Sequence, residues 1–125
     1  LNKLDALQAV RKKIWETYQQ EFRNVPGVER PVDPAANEKH SYFTYFIRVP
    51  AKKRDALAKY LYDNGIYVTL RYHPLHLNPI YKSTAKLPVS EQLNEEGLNI
   101  PLHPNLSSSD VDKVISTIRS FLKKA

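Results

Sequence analysis

The sequence predicts an α/β (α+β) sandwich, a small sheet of about three strands covered by helices. Three observations lead there. Apolar residues recur every three or four positions in three stretches, and alternate with a period of two over 41–49 and 66–72. The elements then fall in the order helix, strand, helix, strand, helix, strand, helix, which packs as layers around one core. Finally, the 125 residues suit one domain, able to bury roughly two-thirds of the surface its unfolded chain exposes.

The first helix is read over residues 1–22, where Leu4, Leu7, Val10, Ile14, Tyr18 and Phe22 repeat at helical spacing and Pro26-Gly27 stops the run. Residues 24–40 hold Pro26, Pro31 and Pro34 and read as an extended connector. Residues 41–49 are rich in aromatic and β-branched side chains and read as a strand. Phe43, Tyr45, Ile47 and Val49 fall on one face, and Tyr42, Thr44, Phe46 and Arg48 on the other. A second helix covers 51–64, with Arg54, Leu57, Ala58 and Leu61 in its stripe and Asn64-Gly65 as a left-handed stop. A second strand is expected over 66–72, then a proline-broken loop over 73–86. Pro88 suits the first turn of a short third helix over 89–96, with Gly97 after it, and 98–102 reads as a third strand. Ser107-x-x-Asp110 is a capping pattern for the last helix, whose stripe is Val111, Val114, Ile115, Ile118 and Leu122. Arg119, Lys123 and Lys124 complement that helix's negative end.

Composition narrows the function. There is no cysteine, so no disulfide framework. The net charge of +6 favours an anionic partner without choosing among nucleic acid, a phosphate ligand and an acidic protein surface. The longest apolar stretch, 42–49, is too short to span a bilayer and is interrupted by Thr44 and Arg48. No leader is read at the start, and a cytoplasmic location is expected. The chain opens on Leu1 and holds no methionine, which predicts a piece of a longer protein.

The densest polar and aromatic cluster is Arg71-Tyr72-His73-Pro74-Leu75-His76-Leu77, where a strand gives way to a loop. It fits a ligand-contacting loop, but composition alone favours a proline turn with partly exposed histidines. His73 and His76 do not make a metal site, because Pro74 breaks the helix that three-residue spacing would need and no nearby carboxylate completes a set before Glu91. His103 and His40 read as turn residues. No nucleophile elbow and no glycine-rich phosphate loop is present. Ser107 to Ser109 are explained by capping, and Glu95 and Glu96 point apart on a helix. The aromatic 42–48 strand next to a basic charge leaves a stand-alone nucleic-acid-binding module open, but its aromatics occupy both faces and no RNA-recognition motif accompanies them.

Taken in order, these pieces resemble the C-terminal small domain of the DegT/DnrJ/StrS family of sugar aminotransferases. Arg11 and Tyr18 stand on the long first helix, and Ile47-Arg48-Val49-Pro50 closes the first small-domain strand. Arg54-Asp55-Ala56-Leu57, Tyr60-Leu61 and Gly65-Ile66 match its helix and turn, and Tyr72-His73-Pro74-Leu75-His76-Leu77 with Pro79 and Tyr81 matches its Y-P-x-P-L-H-L-x-P-x-Y loop. Leu87-Pro88 with Ser90-Glu91, Ile100-Pro101-Leu102-His103-Pro104 and the helix from Asp110-Val111 to Phe121 complete the set. The chain departs from the family at Arg71-Tyr72-His73-Pro74, where many members carry His-Tyr-Pro, and its loop is shorter.

The resemblance implies one domain over 1–125, with 1–22 as the helix arriving from a large domain. It implies a parent enzyme that uses pyridoxal 5′-phosphate (PLP) to move an amino group from an amino acid, commonly glutamate, to a nucleotide-linked keto sugar. The cofactor's Schiff-base lysine would lie upstream of Leu1, so this segment would hold no catalytic residue and be inactive alone. His76 would be the first pocket contact, followed by Tyr72 and His73, with Arg71 a partner for a phosphate or carboxylate. The parent would be a homodimer, with no membrane partner. A dehydratase branch of the same family stays open as an alternative.

Overall fold

The computed structural model describes residues 2–124. The elements are α1 (Leu4–Glu21), β1 (Tyr45–Arg48), α2 (Ala51–Asp63), α3 (Pro88–Glu96), β2 (Gly97–Ile100) and α4 (Ser108–Lys124), with short 3-10 turns at Leu75–Leu77 and Pro79–Tyr81. The expected α+β class holds: helices cover a small antiparallel sheet. No helix among the described residues is long and apolar enough to cross a membrane.

β1 and β2 are antiparallel, with Tyr45 opposite Ile100, Phe46 opposite Asn99, Ile47 opposite Leu98 and Arg48 opposite Gly97. Alternation sends Tyr45, Ile47, Leu98 and Ile100 to one face, where they are buried beneath α1, α2 and α4. Tyr18 of α1 and Phe22, just past its end, join them, with ring centres 5.0 and 6.4 Å from that of Tyr45. The Tyr18 hydroxyl donates to Pro101 O at 2.9 Å. Burial raises the pKa of both Tyr18 and Tyr45 well above the ordinary phenol value.

The helical stripes are where periodicity puts them. Leu57 and Leu61 of α2 and Val111, Val114, Ile115 and Ile118 of α4 are buried. Arg54 is buried as well, its Nη1 donating to Asn94 O at 2.9 Å and Gly97 O at 3.3 Å, which ties α2 to the end of α3 and the start of β2. The capping pattern forms in full: Asp110 N–H donates to Ser107 Oγ, and Ser107 N–H and Oγ both donate to Asp110 Oδ2. Gly65 supplies the left-handed stop of α2 at φ +72°. In α1 only the second half of the stripe is buried; Leu4, Leu7 and Val10 are exposed.

Four expectations change. The second expected strand, 66–72, is reduced to a single bridge in which Thr69 and Asn99 exchange backbone hydrogen bonds at 2.9 and 3.1 Å. Toward Tyr67 the next rung would need residue 101, a proline without an N–H whose carbonyl already accepts from Tyr18, and toward Arg71 it would need Gly97, whose N–H already donates to Leu93 O. The first strand is shorter than 41–49. Tyr42 at φ +48° breaks the alternation before Tyr45, so Tyr42 turns in against Trp15 while Phe43 is exposed. The third strand ends at Ile100, one residue before Pro101. Gly97 does not stand outside the sheet between α3 and the strand but is the first residue of β2, and it is glycine because the Phe46 ring and Leu93 O occupy the space a Cβ would need. The connector 24–40 also does more than span: Glu29 pairs with Arg48 on the free edge of β1. Buried Gln19 holds that connector by donating to Pro31 O and Asp33 Oδ1 and accepting from Arg30 and Tyr45.

Candidate functional site

The outer face of the sheet carries the alternate residues, Phe46 and Arg48 of β1 with Gly97 and Asn99 of β2. Asn99 is a polar residue in a wholly buried strand, and its carboxamide is used. Thr44 Oγ1 donates to its Oδ1 at 2.6 Å, and its Nδ2 donates to Thr69 O at 3.3 Å. With the backbone bridge, this fastens the 66–72 segment beside β2. A cleft of about 480 Å³ results, lined by Phe43, Phe46, Tyr67, Tyr72, Arg71 and His103 above Thr69, Asn99 and Ile100.

Arg71 and Tyr72 reach this cleft from the exposed run after Thr69. The Arg71 guanidinium lies 5.7 Å from the centre of the Tyr72 ring, within cation–π range. Tyr72 is 75% exposed and Tyr67 73%. An aromatic wall with one guanidinium at its mouth can stack a flat group and bind phosphate or carboxylate oxygens in a bidentate way.

The other two candidates lie elsewhere. His73 is exposed and is not among the cleft-lining residues. The His76 side chain is only 6% exposed, and its Nε2 lies 2.9 Å from Glu91 Oε1. The same oxygen accepts from Leu87 N–H at 3.2 Å, at the start of α3. The bonds from His76 and then from Leu87 N–H hold the Glu91 carboxyl below the usual range. The four candidates are thus split, Arg71 and Tyr72 in the cleft and His76 in a clasp under the loop. No group of three metal-ligating side chains occurs among the described residues.

Asn99, Thr44, Glu91 and His103 were not singled out as site residues by the sequence reading. Asn99 had a visible signal, a carboxamide between Leu98 and Ile100 in an apolar strand. The His76–Glu91 pair is 15 residues apart, beyond what local patterning registers.

A family model described as the DegT/DnrJ/EryC1/StrS aminotransferase family matches residues 1–119. The chain belongs to that family. The dTDP-4-dehydro-2,3,6-trideoxy-D-glucose 4-aminotransferase of Saccharopolyspora spinosa is 34% identical over 114 residues, 91% of this chain and 30% of that protein. The aminotransferase TlmJ of Streptoalloteichus hindustanus superposes on 99% of this chain and 34% of its own, with a TM-score of 0.96 and 41% identity. The Streptococcus pneumoniae protein Spr1654 in its PLP form matches 99% of this chain and 33% of its own, with a TM-score of 0.89 and 25% identity. The chain therefore spans about a third of the length of these relatives.

PLP needs an amine to carry it and anionic and cationic partners for its ring and phosphate. The cleft lining includes neither a lysine nor a carboxylate. This donor set does not fit the cofactor.

Proposed function

We propose that this chain is the small domain of a PLP-dependent sugar aminotransferase, a homodimer that moves an amino group from glutamate to a nucleotide-linked keto sugar. The observation that carries the reading is the likeness to TlmJ along 99% of the chain at a TM-score of 0.96. The sugar nucleotide as acceptor is supported by the Saccharopolyspora spinosa relative, which is a 4-aminotransferase of a dTDP-linked keto sugar.

In this reading the chain closes one side of a pocket whose reactive amine belongs to another part of the polypeptide. Arg71 binds phosphate oxygens of the acceptor, and Tyr72 packs against its flat or apolar portion. His73 stands next to them, and His76 belongs to the loop that carries them.

The test compares the complete polypeptide with the 125-residue chain, each given PLP, glutamate and a dTDP-linked 4-keto sugar. The complete protein is expected to release 2-oxoglutarate and an amino sugar, and the 125-residue chain neither. Loss of water from the sugar without a gain of nitrogen would replace the transaminase reading with the dehydratase one. Turnover by the 125-residue chain alone would refute the assignment of the reactive amine to another part.

A further inference from the structure

Leu70 to His73 run between two anchors. At one end Thr69 and Asn99 exchange backbone hydrogen bonds, reinforced by the Asn99 carboxamide on Thr69 O. At the other end Pro74 is buried and leads into the 3-10 turn that carries His76 onto Glu91. Glu91 sits in the first turn of α3. The far end of α3 is held by Arg54 through the carbonyls of Asn94 and Gly97. The clasp therefore connects the loop to the packed body of the domain.

The four residues between the anchors are all exposed. Among the described residues the backbone of Leu70 to His73 makes no hydrogen bond to the rest of the chain, so the two anchored ends set its course. The His76 ring is nearly sealed from solvent and already bonded to Glu91.

We propose that His76 and Glu91 are positioning residues: their hydrogen bond fixes the loop end of the Arg71–Tyr72 segment and so holds both side chains at the cleft. The inference rests on reading Arg71 and Tyr72 as acceptor contacts. His76 then acts through Glu91 and does not touch the sugar nucleotide.

The experiment uses the complete protein with His76→Leu, His76→Gln and Glu91→Ala. Three quantities are read: the rate of the half-reaction with glutamate alone, KM for a dTDP-linked 4-keto sugar, and the rate of tryptic cutting after Lys82 and Lys86. His76→Leu is expected to raise KM about tenfold, the scale of one lost charge-assisted hydrogen bond. It should speed the tryptic cuts and leave the glutamate half-reaction within about twofold. His76→Gln keeps an N–H donor and is expected to restore both KM and tryptic protection. Glu91→Ala removes the other side of the same bond and must reproduce the leucine pattern, so a folding failure of one variant leaves the other to decide. An unchanged KM in His76→Leu overturns the proposal. So does an equal rise of KM in the leucine and glutamine variants with wild-type tryptic protection, because His76 would then touch the acceptor itself. A wild-type protein with no glutamate half-reaction instead overturns the aminotransferase reading, and the proposal falls with it.

Discussion

Two regions of this chain carry similar side chains and use them in opposite ways. In the body, Tyr18, Tyr45, Ile47, Leu57, Leu98 and Ile118 are each fully shielded from solvent. Between residues 70 and 93, nine large apolar side chains are exposed, among them Leu75, Ile80, Tyr81 and Val89. Composition does not separate the regions; backbone partners do. The body supplies two paired strands and three packed helices, so each apolar stripe has a surface to meet. The 70–93 segment reaches α3 through two 3-10 turns and polar fastenings: the Asn78 side chain accepting from Ile80 N–H, and Glu91 accepting from Leu87 N–H and His76. Order in the second region comes from hydrogen bonds, and its apolar groups contribute little to the core.

The largest effect that would break this contrast is expected in the body. Leu57→Ala removes a fully buried side chain of α2, and should destabilise the chain by about 2–5 kcal/mol, the lost burial plus the cavity left behind. A urea-denaturation midpoint measures it. A loss below about 1 kcal/mol would mean the body is as loosely packed as the segment it is contrasted with.

That contrast also explains what the sequence made legible. Helices announce themselves through side-chain period alone, so the α2 and α4 stripes, the Asn64-Gly65 stop and the Ser107–Asp110 cap were readable one segment at a time. A strand needs a partner, and period says nothing about partners. Ile66 to Tyr72 alternates correctly, yet Pro101 removes the neighbouring donor and one bridge survives. Phe43 and Tyr42 exchanged places because a positive φ at Tyr42 reset the alternation, favoured by Trp15 on a distant helix. At the site, the cluster 71–76 was visible as a cluster. Its division into cleft residues and a clasp was not, since it depends on Asn99 and Glu91 from other elements.

An intermediate effect is expected at the α4 cap, where a body element depends on a polar fastening like those of the open segment. Ser107→Ala should cost about 1 kcal/mol near neutral pH. The Ser107 hydroxyl, and then its N–H, hold the Asp110 carboxyl below its usual range. A depressed carboxyl stabilises the fold fully above its unfolded pKa of about 4 and loses that contribution as pH falls through the lower folded value. The wild-type chain should therefore lose part of its stability on acidification below about pH 4, and Ser107→Ala should lose less over the same interval. Denaturation midpoints for both proteins at neutral and acid pH would reveal the difference; parallel losses would show that Asp110 is not linked to the cap.

The smallest effect is expected from Ile80→Ser, and it sharpens the comparison most because a similar apolar side chain is removed from the opposite setting. Ile80 is 77% exposed, so serine leaves no cavity and exposes no buried partner. Its backbone N–H keeps the bond to Asn78 Oδ1, which fixes the second 3-10 turn whatever the side chain. The change in stability of the 125-residue chain should lie within about 0.5 kcal/mol of zero. The urea midpoint should stay still while that of Leu57→Ala moves, although each substitution removes the three carbons beyond Cβ of a four-carbon side chain. A loss from Ile80→Ser approaching that of Leu57→Ala would mean that the 70–93 segment buries its apolar groups in solution, and that hydrogen bonds are not what orders it.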